Sequence, residues 1–169
     1  MNYLKVAVEL GHNKEVFRGL LHGADKELYT WRPAPEKWCM LEIICHLYDE
    51  ECEDFRARVE HVLYLPDAEM APIDPQAWVT SRNYFQQDFE SVLHGFLAER
   101  QRSVNYLNSL SVPQWDNVYV HPKLGPMTAS AFLYNWLAHD YHHIRQINEL
   151  KYLYLRAKVV EPLTYAGEW

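Results

Sequence analysis

The sequence contains little glycine, no strongly basic region, no long apolar run and no C-x-x-C motif. Six glycines among 169 residues argue against an all-β fold, which needs many tight turns. The net charge of -7 and the lack of a basic stripe make nucleic acid a poor candidate partner. No stretch approaches the roughly 20 apolar residues that a membrane-spanning helix requires. A chain of this length predicts a single domain over residues 1–169.

The cysteines indicate a reducing compartment. Cys39, Cys45 and Cys52 are an odd number of thiols without metal-type spacing, which is typical of reduced cysteines in the cytoplasm. Burial as small apolar side chains is their expected role. The apolar run at the amino terminus is interrupted at Glu9 and lacks the core of a signal peptide. We therefore expect a cytoplasmic protein.

Four segments carry helical periodicity, and stretches that contain proline separate them. Ser81 is a plausible N-cap for the third segment, and Thr128 is one for the fourth. Connections of about 15 residues favour crossovers over tight up-and-down hairpins. The sequence thus predicts an all-α four-helix bundle with long crossover connections. Its predicted helices span approximately residues 3–21, 40–64, 81–110 and 128–154.

Two of the nine histidines share one face of the fourth predicted helix. At about 100° per residue, His139 and His143 lie about 40° apart at the apolar face, whereas His142 points about 100° away from His143. Imidazoles at positions i and i+4 project in parallel and can ligate one divalent ion. The alternative is that one histidine satisfies a buried hydrogen bond while the other faces solvent. The histidines that are isolated in sequence are expected at surface or capping positions.

Asp140 lies near the middle of the same apolar face, where an unpaired carboxylate would be costly. Its partner is expected to be a histidine N–H, an arginine or the metal itself. The pattern differs from the zinc-protease signature, because that motif places Glu directly after its first histidine and here Asp140 follows His139. A salt bridge between helices and a hydrogen bond that orients a ligand imidazole both remain open for Asp140.

A third ligand has to come from another element, and His46 on the second predicted helix is the best candidate. Periodicity alone does not select it, because it lies to one side of the apolar stripe of that helix. The alternative is a surface histidine with acidic neighbours such as Glu50. For Glu50, ion pairing on a solvated helix face is favoured over a role beside the metal or in proton transfer.

Two stretches resemble signatures of the DinB-like superfamily. Residues 38–47, WCMLEIICHL, resemble W-S-x-x-E-[IV]-[IL]-x-H-L, with Cys39 where Ser or Thr is usual. Residues 139–147, HDYHHIRQI, resemble H-x-x-x-H-x-x-Q-[IL]. The loop before the last predicted helix also fits, with His121-Pro122 and then residues 125–128. The departure at Cys39 concerns the helix cap and leaves the histidine positions unchanged.

The resemblance implies a four-helix bundle that binds a divalent metal, commonly zinc or nickel, through His46, His139 and His143. It also implies a homodimer. Characterised branches of the superfamily transfer or isomerise substrates with low-molecular-weight thiols such as bacillithiol or mycothiol. We therefore expect a metal-dependent thiol S-transferase whose partners are a small thiol and a small electrophile. The alternatives are a metal-dependent hydrolase and a non-catalytic metal-binding protein of the stress response.

Overall fold

The computed structural model describes residues 3–167 and Trp169, and most of these residues are helical. The described residues form seven α-helices and a two-stranded antiparallel sheet, with 3-10 helices at Tyr84–Gln86 and Leu163–Ala166. The helices are α1 (Tyr3–Leu21), α2 (Lys26–Thr30), α3 (Met40–Glu53), α4 (Phe55–Tyr64), α5 (Pro75–Ser81), α6 (Phe89–Ser109) and α7 (Ala129–Ala157), and the strands are β1 (Val118–His121) and β2 (Gly125–Thr128).

Four long helical segments form the bundle: α1, α3 continued by α4, α6 and α7. Helix α6 packs against α1 and α3, whereas α7 packs against α1 and α4. One core cluster includes Phe17, Ile44 and Phe96, and a second includes Leu10 and Trp136. The predicted all-α four-helix bundle is confirmed. Across the described residues, no helix combines the length and the apolar character needed to cross a membrane.

Two predicted helix boundaries are wrong. The second predicted helix is interrupted at Asp54, whose backbone angles of φ -115° and ψ -89° are not helical, so α3 and α4 are separate helices. The third predicted helix begins at Phe89 and not after Ser81, because the Asp88 side chain caps it by accepting the Ser91 N–H at 2.9 Å. Ser81 instead ends the short helix α5.

Both helices that carry the predicted ligands have well-defined starts. The Thr128 hydroxyl accepts the Ala131 N–H at 3.0 Å, which confirms the predicted N-cap of α7. At the start of α3, the Cys39 N–H donates to the Glu42 carboxylate at 3.0 Å, and Arg32 holds that carboxylate from outside. The glutamate half of a capping box is therefore present although cysteine replaces the usual hydroxyl residue.

A β-hairpin that the sequence analysis did not predict precedes α7. Strands β1 and β2 pair in antiparallel register, from Val118 opposite Thr128 to His121 opposite Gly125. Gly125 has a φ of 75°, a left-handed conformation that glycine adopts without steric cost. The hairpin leads directly into the N-cap of α7.

Candidate metal centre

Two helices supply the side chains of the candidate centre. His46 and Glu50 lie one turn apart on α3, and His139 and His143 lie one turn apart on α7. The residues on each helix are four positions apart, so they project from the same face. Two adjacent helical turns on α3 therefore face two on α7.

The three histidines converge through their Nε2 atoms. The Nε2 atom of His139 lies 2.9 Å from that of His143 and 3.3 Å from that of His46. Each ring offers one nitrogen, and these nitrogens all lie within 4.8 Å of one another. Ligand nitrogens about 2 Å from a tetrahedral zinc ion would be about 3.3 Å apart. The spacing thus fits a single small divalent ion, and the structure brings together the three residues that the sequence singled out.

His46 and His143 are buried and His139 is half-buried, so the three rings favour the neutral form that metal binding requires. Burial is the main cause that lowers the pKa of His46 to about 4, of His139 to about 2 and of His143 to about 3. Repulsion between the neighbouring imidazoles lowers the pKa values further. At neutral pH the three lone pairs are therefore available without the cost of removing a proton.

One hydrogen bond fixes the tautomer of His143. Its Nδ1 lies 2.8 Å from the Gln146 side-chain oxygen, which can only accept, so Nδ1 carries the proton. Nε2 is then left with a free lone pair directed at the other two rings. His46 differs, because its Nδ1 is buried without a hydrogen-bond partner among the described residues. The ring of His46 is instead positioned by Trp38, whose ring centroid lies 5.0 Å away.

Glu50 lies beside the histidine cluster, and the interpretation of it as an ion-pairing residue on a solvated face is wrong. Its side chain is 8% exposed, and its carboxyl oxygens lie 3.1 Å from the Nε2 of His139 and 3.6 Å from the Nε2 of His46. Burial raises the pKa of Glu50 to about 8, and the nearby Asp54 raises it further. Glu50 can therefore act as a fourth ligand or hold a proton next to the histidines.

His46 is also more buried than its position in the sequence suggests. It lies to one side of the apolar stripe of its helix, yet it is only 5% exposed. The rings of Trp38, His139 and His143 pack around it, with centroid distances of 5.0, 5.3 and 5.0 Å. His142, in contrast, is exposed and remains outside the cluster, as the helical geometry predicts.

A cavity of about 630 Å³ gives access to the cluster. Trp38 and Phe55 supply aromatic surface, and the Phe55 ring contacts that of His139 at a centroid distance of 4.8 Å. Charged side chains at the cavity include Glu36 and Lys37. A small organic molecule can therefore reach the histidine nitrogens.

Asp140 binds an arginine and lies outside the cluster. Arg100 from α6 donates to both carboxylate oxygens of Asp140, at 2.6 and 2.8 Å, and also to Glu51 from α3 at 2.9 Å. Asn13 from α1 donates to Asp140 as well, at 3.1 Å. Of the partners considered from the sequence, the arginine is the one found. This buried group, Asn13, Glu51, Arg100 and Asp140, joins all four sides of the bundle next to His139.

Most of the sequence matches a known family. A profile of the DinB superfamily matches residues 9–147, a range that includes the three histidines and Glu50. The chain belongs to the DinB superfamily. The resemblance carried by the two sequence signatures is thereby confirmed.

A solved structure shows the same fold as this DinB-superfamily chain. It is YfiT from Bacillus subtilis, described as a probable metal-dependent hydrolase with an unusual four-helix bundle topology. The TM-score is 0.76 at 20% sequence identity, over 86% of this chain and 83% of YfiT. A comparison with curated proteins gave no match. Metal binding by the histidines, the identity of the metal and the reaction stay predictions.

Proposed function

We propose that this DinB-superfamily protein is a metal-dependent S-transferase that joins a small thiol to a small electrophile. The observation that carries the proposal is the convergence of three neutral imidazole nitrogens and one buried carboxyl group at an open cavity. Three protein ligands leave at least one coordination position free, which is typical of catalytic sites. The histidines His46, His139 and His143 are the proposed ligands.

A divalent ion at such a site lowers the pKa of a bound thiol or water and so yields a nucleophile near neutral pH. The side chains of the protein orient the histidines and shield the site. Gln146 holds His143 in the tautomer that presents Nε2, and the aromatic rings of Trp38 and Phe55 shield the cluster from bulk solvent. The cavity between them accommodates the electrophile.

Glu50 is the proposed proton acceptor. Its carboxyl oxygens lie next to two of the three histidines, where the nucleophile has to lose its proton. Burial raises the pKa of Glu50 to about 8 without a metal ion. A divalent ion held by the histidines would lower this pKa and leave a carboxylate that can accept a proton near neutral pH. Glu50 thus takes the proton from an entering thiol. It returns that proton to the product when the thiol adds to the electrophile, and releases it to solvent when the thiol displaces an anion such as chloride.

The second candidate function is hydrolysis, with water in place of the thiol. Glu50 occupies the position that a general base for water would need, and the structurally similar YfiT is described as a probable metal-dependent hydrolase. The two functions share their ligands and their base. They differ in whether a thiol is consumed.

The first experiment tests the ligands. Purified protein, reconstituted at neutral pH with zinc or nickel, is expected to hold one equivalent of metal by elemental analysis. Changing His46, His139 or His143 singly to Ala is expected to reduce the metal content sharply while circular dichroism retains the helical signal. His142→Ala is the matched control, since this exposed neighbour lies outside the cluster. Wild-type protein that binds neither metal would overturn the proposal.

The second experiment tests the reaction. Metal-loaded protein is mixed with bacillithiol or glutathione and the electrophile monochlorobimane, and the fluorescence of the conjugate is followed. Conjugation that disappears in His143→Ala, and falls in a Glu50→Gln variant that keeps its metal, supports the S-transferase. Cleavage of esters or amides without any thiol would instead establish the hydrolase. Metal-loaded protein with neither activity would indicate a non-catalytic metal-binding protein.

A further inference from the structure

A second cavity, of about 510 Å³, adjoins the one that opens on the histidines. The two cavities share Asp54 and Phe55 as lining residues, so they adjoin at these side chains. Four parts of the fold contribute to the second cavity: α4, residues 69–73, the β-hairpin and α7. Much of its wall is apolar, formed by Met70, Ile73, Tyr119, Met127 and Phe132 among others.

The guanidinium group of Arg58 lines this cavity and has hydrogen-bond donors that its contacts with Asp54 and Met70 leave available. Its Nε atom pairs with the Asp54 carboxylate, and its side chain is only 15% exposed. The Nη1 atom donates to the thioether sulfur of Met70 at 3.1 Å, and a thioether is a weak acceptor. The outer edge of the guanidinium group therefore has donors available for a stronger acceptor. A carboxylate fits such an edge through two parallel hydrogen bonds.

His121, from the β-hairpin, adds a second donor among the residues that line this cavity. Its Nδ1 accepts the backbone N–H groups of Lys123 and Leu124, at 3.1 and 3.2 Å. Since Nδ1 has to be unprotonated to accept them, the neutral ring carries its proton on Nε2. His121 thus lines the cavity as an N–H donor whose tautomer is set by the hairpin turn.

The charges around the cavity nearly cancel. Asp54 and Glu69 offset Arg58 and Lys123, so the site has little net attraction for a dianion such as phosphate. A ligand with a single carboxylate fits the charges of this cavity better than a dianion does. It needs only two adjacent N–H groups of the Arg58 guanidinium, its forked edge, and one neutral donor. An apolar body would then pack against the buried side chains of Met70, Tyr119 and Phe132.

We propose that this second cavity binds the non-reacting part of the substrate, and that the substrate carries a carboxylate on an apolar body. That its other end reacts at the histidines rests on the proposed function. Binding of the carboxylate itself needs only Arg58, His121 and the apolar wall. The two claims can therefore be tested separately.

The test uses 4-phenylbutyrate as the probe and its amide, 4-phenylbutyramide, as the neutral isostere. Isothermal titration calorimetry is run on the metal-loaded protein and on protein stripped with a chelator, because a carboxylate can also bind a metal ion. We expect 4-phenylbutyrate to bind both forms and the amide to bind about tenfold more weakly. Equal binding of acid and amide, or acid binding that requires the metal, would overturn the proposal.

Two pairs of variants locate the binding. Arg58→Lys keeps the charge beside Asp54 but removes the forked edge, and it is expected to weaken 4-phenylbutyrate about tenfold. Arg56→Lys on the same helix is its control, since Arg56 pairs with Glu99 instead. Ala71→Phe fills the cavity without changing charge, whereas Ala57→Phe places the same ring on an exposed position of α4. Equal effects within either pair would also contradict the proposal.

Failure of carboxylate binding in the second cavity and failure of the proposed function would give different experimental results. Loss of thiol conjugation in His143→Ala bears on the function and does not involve the second cavity. Carboxylate binding to the stripped protein bears on the cavity and does not involve the reaction. A protein that conjugates thiols but fails to bind 4-phenylbutyrate would retain its proposed function and lose this inference.

Discussion

The readiness of one imidazole to bind a metal can depend on a single hydrogen bond. His143 is such a case, because the Gln146 side-chain oxygen holds the proton on Nδ1 and leaves Nε2 free. Without that acceptor the two tautomers of a buried neutral imidazole would compete, and one of them directs an N–H at the other rings. Gln146 thus contributes to the centre without contacting the proposed ion.

We expect Gln146→Ala to weaken zinc binding about tenfold, in line with the loss of other partners of ligand histidines. Competition with a chromogenic chelator at neutral pH measures the change. Gln146→Glu keeps an acceptor for Nδ1 and is expected to bind zinc at least as well as the wild type. Asn148→Ala is the control on the same helix, where the lost contact is to the Ile144 carbonyl. Unchanged zinc affinity in Gln146→Ala would contradict this role.

How much of the centre could be predicted differs from residue to residue. His139 and His143 follow from spacing on one helix, since positions i and i+4 share a face whatever surrounds them. Glu50 could not be placed in the same way, because its burial is created by α7, which is distant in the sequence. Its spacing of four residues from His46 was the available signal. His46 itself was supplied by the family resemblance.

At the level of helices, Arg100 connects the elements that bear the proposed metal ligands. From α6 it binds Asp140, next to His139 on α7, and Glu51, next to Glu50 on α3. Trp136 adds a hydrogen bond to Glu51 at 3.1 Å. One cation thus faces two carboxylates in a region excluded from water. Removal of the arginine would leave both carboxylates buried without their cation.

Arg100→Met is therefore expected to destabilise the fold by about 3–5 kcal/mol, the usual effect of removing one partner from a buried ion pair. Urea denaturation followed by circular dichroism provides the measurement. The control is Arg102→Met on the same helix, where a largely exposed arginine pairs with Glu99. Its expected effect is below about 1 kcal/mol. Similar losses in the two variants would show that the buried group does not have this structural role.

Short-range patterns in the sequence predicted most helices well. The remaining boundaries depend on contacts between residues that are distant in the sequence. The bounds of α1 and the Thr128 cap follow from short-range periodicity and hydrogen bonding. The start of α6 was misplaced because Asn83 takes a left-handed conformation, with φ at 51°, before a better cap at Asp88. The break at Asp54 has no proline or glycine to mark it. It is visible only once α4 is seen to pack against α7.

For the whole molecule, the histidine cluster makes the stability of the metal-free protein depend on pH. The three rings have pKa values lowered to about 4, 2 and 3, whereas imidazoles of the unfolded chain titrate near 6.5. Below pH 6.5 the unfolded state binds more protons, so stability is lost as the pH falls towards these folded-state values. Glu50 acts in the opposite direction, because its raised pKa makes the folded state bind the extra proton between about pH 4.5 and 8.

Three histidines destabilise the fold as the pH falls, and only one glutamate stabilises it. We therefore expect the free energy of unfolding of the metal-free protein to be highest near pH 6.5. Between pH 6.5 and 5.5 each histidine should remove about 1 kcal/mol, partly offset by Glu50. Urea midpoints at pH 5.5, 6.5 and 7.5 measure the curve. His139→Gln should reduce the loss of stability below pH 6.5. The exposed His142→Gln should have a much smaller effect, because His142 is only a minor cause of the lowered pKa values. A midpoint that rises from pH 6.5 to 5.5 in the wild type would refute the expectation.

The homodimer implied by the resemblance stays a prediction for the whole molecule. Multi-angle light scattering after size-exclusion chromatography measures the mass directly. Since the three proposed ligands lie in one chain, the cluster is complete without a second copy. Metal binding is therefore expected to be the same for a monomer and a dimer.

The positions of the proposed ligands along the chain also determine the order in which folding and metal binding can occur. His46 and His139 are separated by 93 residues, so ribosomal synthesis delivers the first ligand long before the second. During that interval α3 exposes His46 and Glu50, whose burial awaits α7. The proposed metal would not guide the early steps of folding, because the histidine cluster is complete only when the last long helix closes the bundle. Metal binding is thus expected to follow folding and to depend on the ions available to the folded protein.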